Sequence, residues 1–337
     1  MFNQSKHLNT YIMKNLNKLL MAALILSTSL IACDDDDDVT NPGTPAASQT
    51  IVEIAVADAR MDSLVVALTQ SGLASTFTGS GTFTVFAPTN QAFVDLLASN
   101  PAWNRIADID QVTLTGALLY HVLPNVVMAA DIQNDTYVAT SSPAGPNNTL
   151  ASLFLETDNG VTINNSATVI EANVMASNGV IHVIDAIITP QNVVELALND
   201  DRFSSLVAAL QADSSFNYVA TLSGAGPFTV FAPTNAAFQA LLDSDPTWNT
   251  LADIPTATLA KVLEYHVVTV GNVRAGTLTQ GQVVPTLEGS DLTVDLTSGA
   301  QLQTANPSQG NVNIIVTDVQ GTNGVIHAVD QVLLPVL

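Results

Sequence analysis

Four histidines after residue 33 are the first candidates for chemistry. They stand at positions His121, His182, His266 and His327. Each pair, helped by Asp185 or Asp330, offers ligand types that zinc accepts. However, His121 and His182 are 61 residues apart, and no two histidines have the three- or four-residue spacing that places two ligands on one helical face. We therefore expect buried or half-buried histidines hydrogen-bonded to backbone or nearby polar groups, with no metal and no cofactor.

A hydrolase is the second chemical possibility, because His182 and Asp185 could serve a serine nucleophile. The chain has no G-x-S-x-G elbow to present such a serine, and Cys33 is its only cysteine. Without an activated nucleophile, covalent catalysis has no starting point. General acid/base catalysis by a pair of carboxylates is not excluded, since some pair can always be found among 30 acidic residues. We expect a protein that is not an enzyme.

Cys33 has a different role suggested by what precedes it. Lys14 and Lys18 are followed by an apolar run of 14 residues, Leu19 to Ala32, whereas a membrane-spanning helix needs about 20. Leu-Ile-Ala-Cys at its end resembles the lipobox of bacterial lipoproteins. We predict a signal peptide at 1–32, beginning at Met1 or Met13, and lipid on Cys33 that holds the protein in a membrane.

The segment 33–50 is predicted to be an acylated, acidic tether. Asp34–Asp38 is an unbroken acidic run, followed by residues rich in Thr, Pro, Ser, Gly and Ala. The run is either a solvated spacer or, because it resembles the export signal of lipoproteins from the Bacteroidetes-like lineage, an address for the cell surface. The net charge of −22 argues against nucleic-acid binding.

One sequence unit occurs twice in the rest of the chain. Thr-Val-Phe-Ala-Pro-Thr-Asn at 84–90 recurs unchanged at 229–235, an offset of 145 residues. The same offset relates Trp103 to Trp248, the two Tyr-His pairs and the two Asn-Gly-Val-Ile-His words. A unit of this length is a self-contained domain rather than a solenoid repeat. We predict domains at 51–190 and 191–337, close together because no long flexible linker joins them.

Each unit reads as helices followed by strands. Apolar periodicity predicts helices at 51–68 and 193–210, and a third helix running from Val112 to the first Tyr-His pair. Phe83–Phe86 is a strand, halted by Pro88, and Thr89 or Asn90 can cap the next helix. Strands are predicted at 160–164, 167–170 and 179–188, so that the fold class is α+β.

The ordered set of repeated words resembles the fasciclin domain family. The Thr-Val-Phe-Ala-Pro-Thr-Asn word, the Tyr-His pair and the closing Asn-Gly-Val-Ile-His word followed by Asp appear in both units, and the match covers nearly all of the mature chain. The resemblance implies two tandem domains, each a compact wedge-like β-sandwich with flanking helices, located outside the cell and used for adhesion. It also makes one region the candidate for partner contact: Tyr120, His121, Tyr265 and His266.

The remaining repeated residues favour structural roles. Asn-Gly at 178–179 and 323–324 is typical of a turn, although a ligand-contact loop is the alternative. Trp103 and Trp248 either complete the core or stack on a sugar, and we favour the core. The expected function is adhesion from the bacterial outer-membrane surface to an extracellular protein or polysaccharide, and the rival is a non-adhesive structural accessory of an outer-membrane protein assembly.

Overall fold

The computed structural model describes residues 48–79 and 81–336, which belong to one compact unit. The predicted signal peptide, the lipidation of Cys33 and the tether as far as residue 47 lie outside the described residues. None of the helices within 48–79 and 81–336 is both long enough and apolar enough to cross a lipid bilayer.

The first domain opens with helices and continues with strands. Its helices are α1 (Ile51–Ala57), α2 (Asp62–Ser71), α3 (Asn90–Ser99) and α4 (Gln111–Tyr120). Its strands are β1 (Phe83–Pro88), β2 (Val122–Leu123), β3 (Thr136–Ala139), β4 (Ser152–Glu156), β5 (Thr162–Ile163), β6 (Ala167–Ala176) and β7 (Gly179–Ile184).

The second domain repeats this order with one additional short helix. Its helices are α5 (Val193–Leu198), α6 (Ser204–Leu210), α7 (Tyr218–Leu222), α8 (Asn235–Asp243) and α9 (Thr256–Tyr265). Its strands are β8 (Phe228–Pro233), β9 (Val267–Val268), β10 (Val283–Pro285), β11 (Asp291–Asp295), β12 (Gln301–Gln303), β13 (Val312–Gly321) and β14 (Gly324–Val329).

The strands of each domain form a seven-stranded sheet of the same topology. The order is β2-β1-β7-β6-β5-β4-β3 in the first domain and β9-β8-β14-β13-β12-β11-β10 in the second. β1 pairs in parallel with β7, whereas its other neighbour β2 is antiparallel. The repeated words therefore meet at the centre of the sheet, where Phe86 of the first word lies beside His182 of the last.

Alternation along the central strands creates two apolar cores. Val85 and Ala87 of β1 belong to the core beneath the helices, with Phe93 of α3. Phe86, on the opposite face, packs in a second core with Leu153 of β4. Phe86 points away from Val85 and Ala87 because successive side chains of a strand alternate between the two faces. Since β4 lies near the far end of the same sheet, that end curls over the second face to bring Leu153 to Phe86. This arrangement confirms the predicted β-sandwich wedge with flanking helices.

The helices predicted at 51–68 and 193–210 are each broken in the structure. In the first domain the chain leaves the helix at Asp58 (φ −98°, ψ 109°), and a short 3₁₀ turn separates α1 from α2. The Asp58 carboxylate accepts a hydrogen bond from the backbone N–H of Arg60 at 2.9 Å, which stabilises the new start. Apolar periodicity does not report such a break, because the buried face continues across it.

Several other local predictions agree with the structure, but the strand predicted at 179–188 ends at Ile184, and the one predicted at 160–164 is only Thr162–Ile163. Thr89 is the N-cap of α3, accepting from the N–H of Ala92 at 3.4 Å, and the helix that ends at the first Tyr-His pair is α4. The predicted strand at 167–170 continues as β6 as far as Ala176. Strands β3 and β4 were not predicted, because they lie in a stretch with weak alternation and many turn residues.

The two domains contact each other directly. The phenol of Tyr137 on β3 donates to Asp200 Oδ2 at 3.0 Å, and the Asp200 side chain is 1% exposed. Nearby, the N–H of Gln320 donates to the hydroxyl of Ser152 at 3.0 Å. The guanidinium of Arg202 lies 5.9 Å from the centre of the Tyr137 ring. These contacts confirm that the domains are packed together.

Candidate functional site

The two tyrosines of the Tyr-His pairs are fully buried. Tyr120, at the end of α4, donates its hydroxyl to the carbonyl of Ser152 at 2.7 Å and accepts from the side-chain amide of Asn164 at 3.0 Å. In the second domain the hydroxyl of Tyr265 donates to the carbonyl of Asp291 at 2.9 Å. Both tyrosines are 0% exposed, and each ties the end of a helix to the second core.

The histidines of the same pairs are buried beside them. His121 Nδ1 donates to the carbonyl of Ala117 at 2.7 Å, while its Nε2 accepts from the N–H of Ile188 at 3.2 Å. His266 repeats this pattern with Val262 and Leu333, at 2.7 and 2.9 Å. The partners fix the tautomer, since one ring nitrogen must carry a proton and the other must not.

The second pair of histidines has equivalent backbone partners. His182 Nε2 donates to the carbonyl of Val127 at 2.9 Å and its Nδ1 accepts from the N–H of Asn173 at 3.2 Å. His327 is bound in the same way, because its Nε2 donates to Val273 and its Nδ1 accepts from Asp318. The expectation that the histidines are buried and bonded to backbone groups is confirmed for all four.

Burial keeps these rings neutral. Loss of hydration lowers the pKa of His121 and of His266 to about 4, although the hydrogen bond to the helical carbonyl opposes the shift. The pKa values of His182 and His327 are lowered for the same reason. A neutral imidazole with both nitrogens occupied inside the fold has no free lone pair to accept a proton from a substrate.

The candidate contact region does not lie on the surface. Tyr120, His121, Tyr265 and His266 are between 0% and 2% exposed, so that a partner cannot touch them while the domains are folded. The sequence could not reveal this, because a polar Tyr-His pair at a helix end is equally compatible with an exposed patch. Their described contacts instead position α4 and α9 against the sheet.

The aspartates after the closing words serve the sheet rather than the histidines. Asp185 Oδ1 accepts from the N–H of Thr168 at 2.7 Å, and Asp330 accepts from Asn313 in the equivalent place. Within the described ranges 48–79 and 81–336, no group of three or more His, Cys, Asp or Glu side chains is arranged to hold a metal ion.

The Asn-Gly words are turns, as predicted, and their asparagines also join distant elements. Asn178 accepts from the N–H of Ile51 at 2.9 Å and donates to the carbonyl of Phe77 at 2.7 Å. Asn323 repeats this role at the start of α5. Trp103 and Trp248 are partly buried and pack against the helical cores, which agrees with the favoured prediction.

The residues that join the domains were missed by reasoning from the sequence. Tyr137, Asp200 and Arg202 form one cluster at the junction, in which Asp200 is buried, the other two side chains are partly exposed, and Asp200 and Arg202 are 2.7 Å apart. One signal was available, because Asp58-x-Arg60 recurs as Asp200-x-Arg202 at the start of each domain. The repeat predicts a local ion pair, but nothing in it indicates that Tyr137 is the third member.

Comparison with known families identifies both halves of the chain. A model of the fasciclin domain matches residues 59–190 and again residues 201–335. An uncharacterized protein of Synechocystis, sll1735, is 39% identical over 143 residues, which make up 42% of this chain and 97% of that protein.

Two animal proteins match a longer part of the chain. Human periostin is 32% identical over 272 residues, covering 76% of this chain and 29% of periostin. The pig transforming growth factor-beta-induced protein ig-h3 is 30% identical over 259 residues, covering 76% of this chain and 35% of that protein. The match thus spans about a third of the length of either relative.

Among solved structures, the chain is similar to a FAS1 domain pair from the insect cell adhesion molecule fasciclin I. The TM-score is 0.49 and the sequence identity is 18%, with 82% of this chain and 97% of that chain covered.

Proposed function

Because the chain belongs to the fasciclin domain family, we propose that it is a lipid-anchored adhesion protein of the bacterial envelope. Its two domains would bind an extracellular protein or a polysaccharide, without catalysis. Fasciclin domains are typically modules for adhesion and binding, which supports this class of function. The match spans only about a third of periostin and of the ig-h3 protein, so the partner must be sought for this chain itself.

The observation that supports a binding role most is the use of the repeated polar residues. The tyrosines and histidines of both domains form hydrogen bonds with buried backbone groups. His121, for example, bonds to the carbonyl of Ala117 and the N–H of Ile188. These residues stabilise the module, and therefore recognition falls to the surface, which differs between the two copies.

Attachment to the membrane is proposed from the sequence around Cys33. The lipobox-like Leu-Ile-Ala-Cys predicts acylation of this cysteine, and several acyl chains exceed what stable anchoring requires. The acidic run Asp34–Asp38 would then hold the domains away from the membrane, on the outer face of the outer membrane. The two domains share a buried junction around Asp200, so we expect them to be presented as one unit.

The test of adhesion is a deletion strain measured for attachment to surfaces and for biofilm formation. We expect the deletion to reduce both, the wild-type gene to restore them, and the Cys33→Ala variant to fail although the protein is made. Metabolic labelling with an alkyne fatty acid should mark the wild-type protein and leave Cys33→Ala unmarked. Label on that variant would contradict the anchor.

Two other results would favour different functions. Unchanged attachment, together with loss of a complex that co-purifies with the protein, would indicate a structural accessory of an outer-membrane assembly. Turnover of a chromogenic ester or glycoside that is abolished by His182→Ala would indicate an enzyme.

A further inference from the structure

A groove runs along the outer side of α4, where the two domains meet. Its volume is about 640 Å³, within the range of about 300–1,000 Å³ that is typical of small-molecule sites. One wall is α4 and the other is the segment 142–148, while Thr189 and Pro190 of the link and Thr322 of the second domain close one end. The groove thus belongs mainly to the first domain, and the second domain contributes Thr322 to one end.

The surface of the groove is mainly apolar and carries no charge, although several uncharged polar residues line it. None of the fourteen residues that line it carries a formal charge, although the chain as a whole has a net charge of −22. Val112 on α4 is 81% exposed, and a Cβ atom added to Gly116 would meet nothing within 4 Å. An ionic ligand would lose its hydration here without gaining a charged partner, which is costly. An uncharged ligand does not need a charged partner.

The second domain provides an internal control for this helix face. With the offset of 145 residues, Gly116 corresponds to Lys261 on α9, and Leu119 corresponds to Glu264. Glu264 accepts a hydrogen bond from the hydroxyl of Tyr218 at 2.8 Å. The second domain thus carries charge at both places, one of them paired with Tyr218 of its additional helix. A glycine inside a helix costs about 0.5–1 kcal/mol relative to alanine, and the packing at Gly116 does not require it.

The groove is also preformed and carries free hydrogen-bonding groups. The buried hydroxyl of Ser142 donates to the carbonyl of Gly116 at 2.9 Å, which fixes one wall against the other. In the described part of the chain, no hydrogen bond involves the hydroxyls of Thr115, Thr189 or Thr322. Each hydroxyl can both donate to and accept from a ligand.

We propose that this groove binds an uncharged, mainly apolar small molecule that carries one or two hydroxyl or carbonyl groups. Its apolar body packs along Val112, Gly116 and Leu119, and its polar groups bond to the threonine hydroxyls at the domain junction. This binding goes beyond adhesion and does not depend on it.

The test uses the full chain with Cys33→Ser, purified without detergent, so that neither acyl chains nor micelles compete. The uncharged fluorophore N-phenyl-1-naphthylamine is titrated into it, and we expect saturable binding of one probe per chain with a blue-shifted emission. The double variant Gly116→Lys, Leu119→Glu reproduces the charges of α9 and should weaken the affinity at least tenfold. Val94→Lys, at a 56% exposed position on α3, should leave it unchanged.

A second variant keeps the test decisive if the charged one does not fold. Gly116→Phe places a ring in the open space and improves the helix propensity, so it should also lower the affinity at least tenfold while circular dichroism stays unchanged. Absence of saturable binding, or an equal loss in Val94→Lys, would overturn the proposal. Because the assay is in solution, it can fail while attachment in cells is normal, and the reverse.

Discussion

The same aspartate–arginine pair begins both domains, and its surroundings differ. In the first domain Asp58 and Arg60 are 2.7 Å apart with side chains 23% and 50% exposed, and Arg60 also contacts Glu171. In the second domain Asp200 is 1% exposed, and the phenol of Tyr137 from the first domain completes its surroundings. A local motif that is a surface ion pair in one copy is the domain junction in the other.

The difference in burial decides what each pair contributes. Exposed ion pairs stabilise proteins by about 0–1 kcal/mol, because water screens them and the side chains lose freedom. In the second domain only Asp200 is buried, while the Arg202 side chain is 35% exposed, so the pair contributes mainly through hydrogen bonds to the buried carboxylate, each worth about 1.5–3 kcal/mol. The four buried histidines, unlike the aspartate–arginine pairs, have nearly the same burial and the same kinds of partner in both domains. The two copies have thus kept their interior and changed their surface.

The largest effect is expected from acid, which tests whether the two interiors are equivalent. Burial lowers the pKa of His121 and His266 to about 4 in the folded state, against about 6.5 in the unfolded chain. Between these values the unfolded chain binds more protons, so the free energy of unfolding falls as the pH falls from about 6.5 to 4. We expect a loss of about 3 kcal/mol per histidine over this window, measured by urea unfolding.

The contribution of one domain can be separated. His121→Gln has no proton to gain in this range, so its stability should depend less steeply on pH than that of the wild type. His266→Gln should behave in the same way for the second domain. If both variants kept the full slope, other groups would be responsible for the acid sensitivity.

The next effect compares the two aspartates. Asp200→Ala removes the buried acceptor of the Tyr137 phenol and the partner of the partly exposed Arg202, and we expect a loss of about 3 kcal/mol in the free energy of unfolding from the hydrogen bond and the ion pair together. Asp58→Ala removes the same local contacts at the surface and should cost about 1 kcal/mol. Urea unfolding of both variants measures the difference, and equal losses would show that the junction adds nothing.

A smaller effect isolates the contact between the domains. Tyr137→Phe removes only the hydroxyl that donates to Asp200, and a hydrogen bond to a charged group contributes about 1.5–3 kcal/mol. The thermal midpoint should fall, and limited proteolysis should cut faster near Pro190. Val283 is the residue equivalent to Tyr137 in the second domain and is 57% exposed, so Val283→Ala should change stability by less than about 0.5 kcal/mol.

The smallest effect concerns the helix that borders the groove. Gly116→Ala should stabilise the first domain by about 0.5–1 kcal/mol, because alanine is the better helix former and its methyl group meets no other atom. Lys261→Ala, at the equivalent position in α9, should change stability only by a few tenths of a kcal/mol. Thermal unfolding followed by circular dichroism can measure both. A destabilised Gly116→Ala variant would indicate packing at this glycine.

Much of the fold follows from local sequence because the signals are short-range. Thr89 caps α3 through a side chain three residues from its partner Ala92, and the repeated strand words carry β-branched and aromatic residues. The break at Asp58 was missed because it is a capping event inside an otherwise regular apolar pattern. The strands β3 and β4 were missed because their partners, and not their composition, make them strands.

The candidate contact region shows where local reasoning about function ends. Tyr120 and His121 occupy a helix end, which is compatible with a surface role. Tyr120 is buried because β4 and β5 cross over it, and their sequences lie more than 30 residues further on. Whether a residue is exposed depends on the folding of the whole chain, so the Tyr-His pair alone could not predict its burial.

The sequence by itself determined the duplication, the α+β order and the family, because repeated words and periodic apolar residues can be read within short windows. Only the tertiary structure decided which repeated residues are buried, that Tyr137 meets Asp200, and that α4 borders a groove while α9 carries charge. These features depend on contacts between residues that are far apart in the chain. Their free energies arise from burial, which exists only after the domains have folded against each other.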